Sequence, residues 1–302
     1  MSIPPFIERL MAGLQPGSSV PEVLKAAIAP DAHILEIGPG ASPAFRRRDY
    51  PNLKVSDYCD TATLQRQMRE VYRLPDGPFD LFDDIDYVCA DGRLADCVPA
   101  EQRFDLIYSC HNIEHQPDLL MHLRSVETLL KPGGTAVMVV PLKTQTFDLF
   151  RQLTTTSDVL MRHHWPHAAP AAKLAFDTDS HSASPPAGAP HRFGPQDPLS
   201  VGDLHAAFEH LQRSMTGQAR DLSYLHYHVF TPESLQILLL ELYLLRQCSL
   251  IPAMCTGEVG NSFVIALQPM PWPADPTHAA AWTAHLESIR LQRYRDGAFR
   301  PH

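Results

Sequence analysis

The stretch that decides the fold is ILEIGPG, residues 34–40. An apolar run, AHILEI at 32–37, ends here in a turn that contains Gly38 and Gly40. A short apolar run bounded by turn residues is typical of a buried strand. Glycine lets the turn adopt positive φ angles and lets a ligand approach the backbone closely. The stretch therefore predicts the first strand of an α/β domain, with Glu36 near its end and a ligand crevice at its carboxyl end.

Four further apolar runs have the same character. They are LKVSD (53–57), IDYVCA (85–90), FDLIYSC (104–110) and TAVMVVP (135–141). A helix-period segment at 63–74 lies among them, and alternating strands and helices predict a parallel sheet with helices on both faces. Farther along, Thr231 and Pro232 open a helix over 231–245, and residues 249–269 contain two strands that meet at the turn EVGN. This pair predicts an antiparallel hairpin at the sheet edge.

The chain divides into four parts on this pattern. Residues 1–30 hold two helical segments, residues 31–141 and 226–270 form the core, and residues 271–302 form a helical tail. Between the two core segments lies an insertion, residues 142–225, which we expect to carry helices at about 147–163 and 201–216. Its central part, 168–200, is rich in Pro, Ala and His and is expected to be irregular, either as an ordered lid or as a disordered segment.

Composition narrows the class of protein. The chain has 302 residues, 44% of them hydrophobic, and a net charge of −9, as in ordinary soluble domains. The longest basic run is RRR at 46–48, so no nucleic-acid partner is expected. Six cysteines without CxxC spacing, no signal peptide and no apolar run of bilayer length predict a cytoplasmic protein with reduced thiols and no membrane contact. The oligomeric state stays open.

Two carboxylates follow the second and third strands. Asp57 lies nineteen residues past Gly38, where it suits both hydroxyls of a ribose, and Asp91 with Gly92 suits an exocyclic adenine amine. A nicotinamide cofactor is the alternative ligand. However, GPGASP at 38–43 lacks the third glycine of that fingerprint, and Glu36 would face a pyrophosphate. An acidic turn fits better a ligand with a cationic amino-acid end, such as S-adenosylmethionine.

These segments together resemble the class I S-adenosylmethionine-dependent methyltransferases. The resemblance lies in ILEIGPG, SD at 56–57, AD at 90–91, FDLIYSCHNIEH and LLKPGGTAVMVVP, and it covers about 31–141 and 226–268. It implies a Rossmann-like seven-stranded sheet whose last hairpin is reversed. It also implies a small-molecule substrate and a set of cofactor-binding residues, namely Glu36, Gly38, Gly40, Asp57, Tyr58, Asp91, Gly92 and Cys110.

The segment HNIEH, residues 111–115, has the residue types of a zinc peptidase motif. A zinc peptidase requires these residues within a helix, whereas here they follow a strand and precede the helix opened by Pro117 and Asp118. In the methyltransferase family the segment after the fourth strand crosses the methionine end of the cofactor and faces the substrate. The family context is therefore favoured over peptidase chemistry.

A narrower resemblance concerns bacterial methyltransferases of polysaccharide and small-molecule pathways. They carry a similar H-x-x-E-H loop, an FD..R segment like Phe147, Asp148 and Arg151, and a stretch like HYHVFTPES at 226–234. Small-RNA 2′-O-methyltransferases and ubiquinone-pathway O-methyltransferases are similar and bind a divalent metal in the corresponding loop. The resemblance implies metal ligands at His111, Glu114, His115 and His226. Leu142, Lys143 and Thr144 replace the D-K-R of the polysaccharide group, so the substrate stays open.

Three interpretations of the loop remain. Three imidazoles and one carboxylate favour iron, zinc, manganese or nickel over magnesium, and such a metal lowers the pKa of a bound hydroxyl. Without metal, His111 or His115 is the candidate catalytic base. In the third interpretation, Glu114 and His115 only orient the loop.

We therefore expect methyl transfer from S-adenosylmethionine to an oxygen, or less favourably a nitrogen, of a small molecule. The alternatives are a metal-dependent oxidative enzyme on the same fold and a catalytically silent cofactor-binding protein. Three histidines of the insertion, His163, His164 and His167, are expected to be exposed to solvent. His228 is expected to point away from His226, since extended backbone alternates its side chains.

Overall fold

A computed structural model describes residues 4–15, 17–40, 42–73, 82–166, 171–184, 198–215 and 225–298. Its strands are β1 (Ile34–Ile37), β2 (Leu53–Asp57), β3 (Tyr87–Val88), β4 (Phe104–Cys110), β5 (Leu130–Pro141), β6 (Ala183–Ser184), β7 (Ser200–Val201), β8 (Leu250–Cys255) and β9 (Ser262–Pro269). Its α-helices are α1 (Pro5–Gly13), α2 (Val20–Ala27), α3 (Thr61–Tyr72), α4 (Leu94–Cys97), α5 (Leu119–Leu129), α6 (Thr156–His164), α7 (Ala171–His181), α8 (Leu204–Met215), α9 (Pro232–Leu244) and α10 (Pro276–Ala298). Short 3₁₀ turns cover Ile113–His115, Lys143–Gln145 and Phe147–Phe150.

A seven-stranded sheet forms the centre, in the order β3-β2-β1-β4-β5-β9-β8. The pairs among β1 to β5 are parallel, whereas β9 runs antiparallel to both β5 and β8. The sequence prediction of a Rossmann-like methyltransferase sheet with a reversed last hairpin is therefore confirmed. Because β1 and β4 are parallel neighbours at the centre, the segments that follow them meet at one edge of the sheet.

Apolar residues cover both faces of this sheet, and successive residues of β4 alternate between them. Leu106 and Tyr108 pack into a core with α1 and α2, while Ile107 packs into a larger core with α5 and α9. A strand buried on both faces is mostly apolar along its length, which is the pattern that LIY within FDLIYSC shows. The central strand is thus packed on both faces, and this fixes the points at which its loops begin.

Helix α9 begins where the sequence predicts. The Thr231 side chain accepts a hydrogen bond from the Ser234 amide, and the Ser234 hydroxyl accepts one from the Thr231 amide, which completes a capping box. On the outer side, α10 packs against α9, where Trp282 donates a hydrogen bond to the Tyr243 hydroxyl at 3.0 Å. The cap fixes the point at which the chain leaves the carboxyl edge of the sheet.

The insertion is more regular than the sequence predicts. Helices α6, α7 and α8 and the β6–β7 pair lie within it, and α7 and α8 pack together. The expectation of irregular structure from 168 is wrong for α7, because Ala and Leu residues in AAKLAFDTDSH outweigh the polar ones. Residues 185–197, the centre of the predicted lid, lie outside the described residues.

The two ends of the insertion are joined to each other. Arg151 donates a hydrogen bond from Nη2 to the His226 carbonyl at 2.8 Å. The Thr154 amide donates to the Val229 carbonyl at 3.0 Å, and the Val229 amide donates to Thr154 Oγ1 at 2.9 Å. We call these two paired segments, 151–154 and 226–229, the neck. The chain therefore leaves the core and returns to it at one place.

No helix among the described residues has the length and apolar character needed to cross a membrane.

Candidate active site

The GPG turn after β1 has the conformation that its glycines permit. Gly38 has φ +65° and Gly40 has φ +52°, in the left-handed region. A Cβ atom on Gly38 would lie 3.0 Å from Nδ2 of Asn112, in the segment after β4. Gly38 is therefore needed both for its backbone angle and for the close approach of Asn112.

Glu36 organises the loop that follows this turn. Its carboxylate accepts hydrogen bonds from the amides of Ala44 at 2.6 Å and Phe45 at 3.2 Å. Burial raises the pKa of Glu36 to about 7. The side chain thus holds the backbone of the loop that follows the GPG turn. That Glu36 also contacts a cofactor directly stays a prediction.

Asp57 ends β2 at the same edge of the sheet. It is 6% exposed, and its Oδ1 atom accepts a hydrogen bond from the Tyr58 amide at 2.7 Å. Burial raises the pKa of Asp57 to about 6. The Tyr58 side chain is exposed and hydrogen-bonded through its hydroxyl to Gln67. A buried carboxylate beside an exposed aromatic ring is suited to a ribose and its base.

The loop after β3 meets the segment after β4. Asp91 is exposed and accepts a hydrogen bond from the Arg93 amide at 3.1 Å, while Gly92 has φ +76°. A Cβ atom on Gly92 would lie 3.1 Å from Oε1 of Gln116, and Gln116 donates to Oδ1 of Asn112 at 2.9 Å.

Asn112 and Gln116 therefore link the GPG turn to the loop after β3. The sequence prediction missed both, because neither amide has a spacing that marks it. Cys110, the last residue of β4, has an exposed side chain at this edge.

Three of the four predicted metal ligands come together. The ligand atoms of Glu114, His115 and His226 all lie within 4.8 Å of one another. Glu114 and His115 belong to the 3₁₀ turn after β4, and His226 lies in the neck before α9. The Tyr227 and His228 amides both donate to the Glu114 carbonyl, at 2.6 and 3.1 Å. The backbone thus joins two segments that are more than a hundred residues apart in the sequence.

Hydrogen bonds at Nδ1 orient both imidazoles. His115 Nδ1 lies 3.0 Å from the Leu225 carbonyl, and His226 Nδ1 lies 2.5 Å from Oδ2 of Asp148. Since carbonyl and carboxylate oxygens only accept, each Nδ1 carries a proton, so the neutral form of each imidazole has its lone pair on Nε2. His115 Nε2 lies 3.8 Å from Oε1 of Glu114. Two imidazole lone pairs and one carboxylate are thus available to one cation.

Asp148 and Arg151 hold His226 in place. Asp148 is 2% exposed, and its Oδ1 atom accepts from Arg151 Nη1 at 2.5 Å. Burial acts to raise the pKa of Asp148, but the hydrogen bonds and charges of His226 and Arg151 outweigh it and lower that pKa. In the sequence, Asp148 and Arg151 were identified only by family resemblance. Their contacts with His226 become visible only in the folded structure.

Glu114 is the residue of this group that most requires a partner. It is 1% exposed, and neither carboxylate oxygen accepts a hydrogen bond from another described residue. Burial, and then the charge of Asp148, raise the pKa of Glu114 to about 8. Buried carboxylates are normally paired or bound to a metal. The orphaned oxygens and the aligned imidazoles fit a divalent cation.

The structure places His111 outside this group. The residue has φ +50°, and its amide donates to the Val139 carbonyl at 2.9 Å. Its Nε2 atom lies 2.7 Å from Oγ of the buried Ser262, which in turn donates to Oδ1 of Asn261 at 3.0 Å. Three of the four predicted ligands are thus near one another in the described structure, and ligation itself stays a prediction. The peptidase interpretation also fails, since His111 and His115 do not share an α-helix.

The remaining histidines differ in part from expectation. His228 points away from His226, as predicted, and donates from Nε2 to the Gln116 carbonyl at 2.9 Å. His163 was expected to be exposed, which is wrong: it is largely buried between Asp118, at 2.9 Å, and Arg124, at 3.1 Å. His164 is exposed, and His167 lies outside the described residues.

The strand order, together with the glycines and carboxylates at the carboxyl edge of the sheet, defines the class of the protein. It is an α/β fold of the methyltransferase type. A family model described as a methyltransferase domain matches residues 12–184, more than half of the chain. The chain therefore belongs to this family, that of the S-adenosylmethionine-dependent methyltransferases. No curated protein gives a significant match.

Three solved structures are similar at low identity. Mitomycin 7-O-methyltransferase MmcR is 14% identical, with a TM-score of 0.36 over 80% of this chain and 49% of that one. The CcbJ methyltransferase from Streptomyces caelestis is 21% identical, with a TM-score of 0.28 over 43% of this chain and 49% of that one. An S-adenosylmethionine-dependent methyltransferase from Clostridium acetobutylicum is 12% identical, with a TM-score of 0.29 over 43% and 50%. The chain spans about half the length of these structures.

Proposed function

We propose that the protein transfers a methyl group from S-adenosylmethionine to a hydroxyl oxygen of a small molecule, with a divalent transition metal held by Glu114, His115 and His226. The observation that carries the proposal is the Glu114 carboxylate, buried without a hydrogen-bond partner among the described residues and facing two oriented imidazoles. Family membership supports the methyl donor, and the three-residue group supports the choice of oxygen over nitrogen.

The donor set distinguishes between metals. Two neutral imidazoles and one carboxylate suit manganese, iron, zinc or nickel, whereas magnesium prefers oxygen ligands alone. A metal at this group would lower the pKa of a hydroxyl bound to it. When Asp148 is ionised, it accepts a hydrogen bond from Nδ1 of His226 and so orients the imidazole. Nε2 is then the nitrogen that faces Glu114 and His115.

His111 has a separate role in the proposal. Ser262 donates its hydroxyl proton to Asn261, so it accepts from Nε2 of His111, and Nδ1 of that imidazole keeps a lone pair. Burial lowers the pKa of His111, so its neutral form dominates at neutral pH. A neutral imidazole beside the metal ligands is suited to accept the proton of the acceptor hydroxyl.

The test combines binding with turnover. The chelator-stripped protein is titrated with Mn²⁺, and S-adenosylhomocysteine release is measured with a panel of small hydroxylated acceptors. We expect one metal per chain at this group and metal-dependent release. His226→Ala should lose both, while its affinity for S-adenosylmethionine in calorimetry stays the same. The matched control is His205→Ala on α8, an exposed histidine outside the site.

Full turnover after exhaustive chelation would contradict the metal proposal and leave His111 as the base. A protein that binds no S-adenosylmethionine would contradict the methyltransferase proposal as a whole.

One observation favours a second candidate function. Two histidines and one carboxylate with open positions are also the ligand set of non-haem iron oxygenases. A metal-dependent oxidation on a methyltransferase-like fold would therefore use the same three residues. Oxygen consumption by the iron-loaded protein with an acceptor, in the absence of methyl transfer, would identify it.

A further inference from the structure

A second group of metal-ligating side chains lies outside the Glu114 group. Cys89 follows β3, Cys97 ends α4, and Asp91 lies between them in the sequence. Their two sulfur atoms and one carboxylate oxygen all lie within 4.8 Å of one another. In a tetrahedral zinc site, with sulfur about 2.3 Å and oxygen about 2.1 Å from the metal, ligand atoms are less than about 4 Å apart. Only a small adjustment separates this group from that geometry.

The two thiols are neighbours, with their sulfur atoms within 4.8 Å of each other. Burial, followed by the neighbouring Cys97, raises the pKa of Cys89 to about 12. Cys97 also donates a weak hydrogen bond to the Arg93 carbonyl at 3.6 Å. A thiophilic cation displaces the proton of each thiol that it binds, because it stabilises the thiolates directly.

The three side chains differ in access. Cys89 is buried, Cys97 is partly buried, and Asp91 is exposed. An ion can therefore reach the thiols from the side of the carboxylate, and water can complete its coordination. The backbone at Cys89 is fixed, because its amide donates to the Asp57 carbonyl at 2.7 Å. One ligand is thus anchored to the sheet, and the other two lie on the loop and short helix that follow.

We propose that Cys89, Asp91 and Cys97 form a binding site for a thiophilic divalent cation such as Zn²⁺. Two thiolates and one carboxylate are a soft, negatively charged ligand set, unlike the imidazole-rich group at Glu114. The two sites therefore select by different chemistry: this one favours ions that prefer sulfur.

The site has a consequence for the cofactor, and this part rests on the proposed function. Asp91 is the carboxylate predicted to contact the adenine amine, and Gly92 packs against Gln116, which bonds to Asn112 beside the GPG turn. A cation that takes Asp91 removes it from the cofactor. Metal at the thiol site therefore competes with S-adenosylmethionine and reduces activity.

Cadmium is the probe, because sulfur-to-cadmium charge transfer absorbs in the ultraviolet and reports thiolate ligands only. The reduced, chelator-stripped full chain is titrated with Cd²⁺ in the His226→Ala background, which removes the imidazole group. We expect the band to saturate at one equivalent. Cys97→Ser should reduce the band to about half or less and weaken binding more than about tenfold. The control is Cys255→Ser, a partly buried cysteine on β8.

Asp91→Asn provides a variant that keeps both thiols and changes only an exposed side chain. It should retain most of the band while the affinity for Cd²⁺ falls about tenfold, since one charged ligand is lost. A band that is absent from the parent, or unchanged in Cys97→Ser, overturns the proposed site. So does an unchanged affinity in Asp91→Asn.

Competition is measured separately, by calorimetry of S-adenosylmethionine binding with and without one equivalent of Cd²⁺. We expect the affinity to fall at least about tenfold in the parent and to stay constant in Cys97→Ser. Equal affinities in the parent overturn the competition. If the protein binds no S-adenosylmethionine under any condition, the proposed function fails, whereas the cadmium band still decides the thiol site.

Discussion

At the scale of single residues, Glu114 is a side chain of the metal-free site whose burial is not compensated by hydrogen bonds. Its carboxylate is 1% exposed and has no hydrogen-bond partner among the described residues. Ionising it there costs free energy, because the charge lacks the hydration that it would have in water. A cation removes this cost. Binding of metal and stability of the fold are therefore linked through one side chain.

The first prediction follows from this link. Divalent metal should raise the Tm of the parent protein, because it binds the folded state preferentially. Glu114→Gln should remove most of that rise, while in the chelated protein its Tm stays close to that of the parent, since a neutral amide replaces a largely protonated acid. Thermal scans with and without Mn²⁺ measure both effects, because Mn²⁺, unlike Zn²⁺, does not favour the sulfur ligands of the thiol site. The exposed Glu22→Gln serves as control, and an equal rise in Glu114→Gln would exclude Glu114 as a ligand.

Asp148 allows a second prediction, about orientation rather than ligation. Asp148→Asn leaves the shape of the side chain but no longer fixes the Nδ1 proton of His226, so metal affinity should fall about 10–100-fold. S-adenosylmethionine affinity should not change. Metal titration followed by calorimetry separates the two. Asp158→Asn, in the exposed capping box of α6, is the matched control, and equal metal affinities in the two variants would show that Asp148 has no such role.

A third prediction concerns pH and Asp57. The ionised carboxylate is the form that accepts hydrogen bonds from ribose hydroxyls, and burial raises the pKa of Asp57 to about 6. S-adenosylmethionine affinity should therefore fall as the pH drops below about 6, by at most about tenfold per pH unit, and should be flat above it with respect to this group. Asp57→Asn should bind weakly and without this slope. Calorimetry between pH 5 and about 8 covers the range; an identical slope in the variant would assign it to another group.

At the scale of secondary structure, the sequence predicts best the strands and helices whose pattern is determined by burial. β1 and β4 are mostly apolar because both of their faces are covered, and α9 carries its own cap in Thr231. α7 was missed because polar residues obscure its helix formers, and β6 and β7 are too short to show any period. The sequence pattern is enough to identify the elements that were predicted, whereas the elements that were missed depend on packing contacts that the pattern does not report.

The candidate site shows the same division. The glycines and Asp57 were predicted because their spacing from β1 and β2 is local. The pairing of Asp148 with His226, and of His111 with Ser262, joins residues 78 and 151 positions apart. No spacing in the sequence reports such contacts. His111 in particular looks like a ligand in HNIEH, but its left-handed backbone turns it to β9.

Helix α5 gives a prediction about stability. His122 is 2% exposed, and burial lowers its pKa from 6.5 to about 4. Because the folded-state pKa lies below the unfolded one, its contribution is fully present above about pH 6.5 and is lost as the pH falls toward 4, by roughly 3 kcal/mol at most. His122→Leu should make the free energy of unfolding less dependent on pH in this range. Urea titrations at several pH values measure it, with the exposed His205→Leu as control; parallel curves for all three proteins would refute the assignment.

At the scale of the whole molecule, one edge of the sheet gathers every predicted site. The GPG turn, the loops after β2, β3 and β4, and the neck all lie there. The segment 111–116 contains Glu114 and His115 of the Glu114 group, contacts the loop of the thiol group through Gly92, and bonds to the neck through Tyr227. Ligands at either group therefore act on one connecting segment. Within it, Asn112 contacts the GPG turn and Gln116 contacts the loop after β3.

The neck has a consequence for how such a protein can change over time. Its hydrogen bonds at Arg151 and Thr154 hold the two ends of the insertion together whatever lies between them. The entropy of closing the intervening chain grows slowly, by only about 0.6 kcal/mol for each doubling of its length. The segment between 155 and 225 can thus be lengthened or shortened at a small cost in free energy, while Asp148 and His226 keep their positions on this frame of hydrogen bonds.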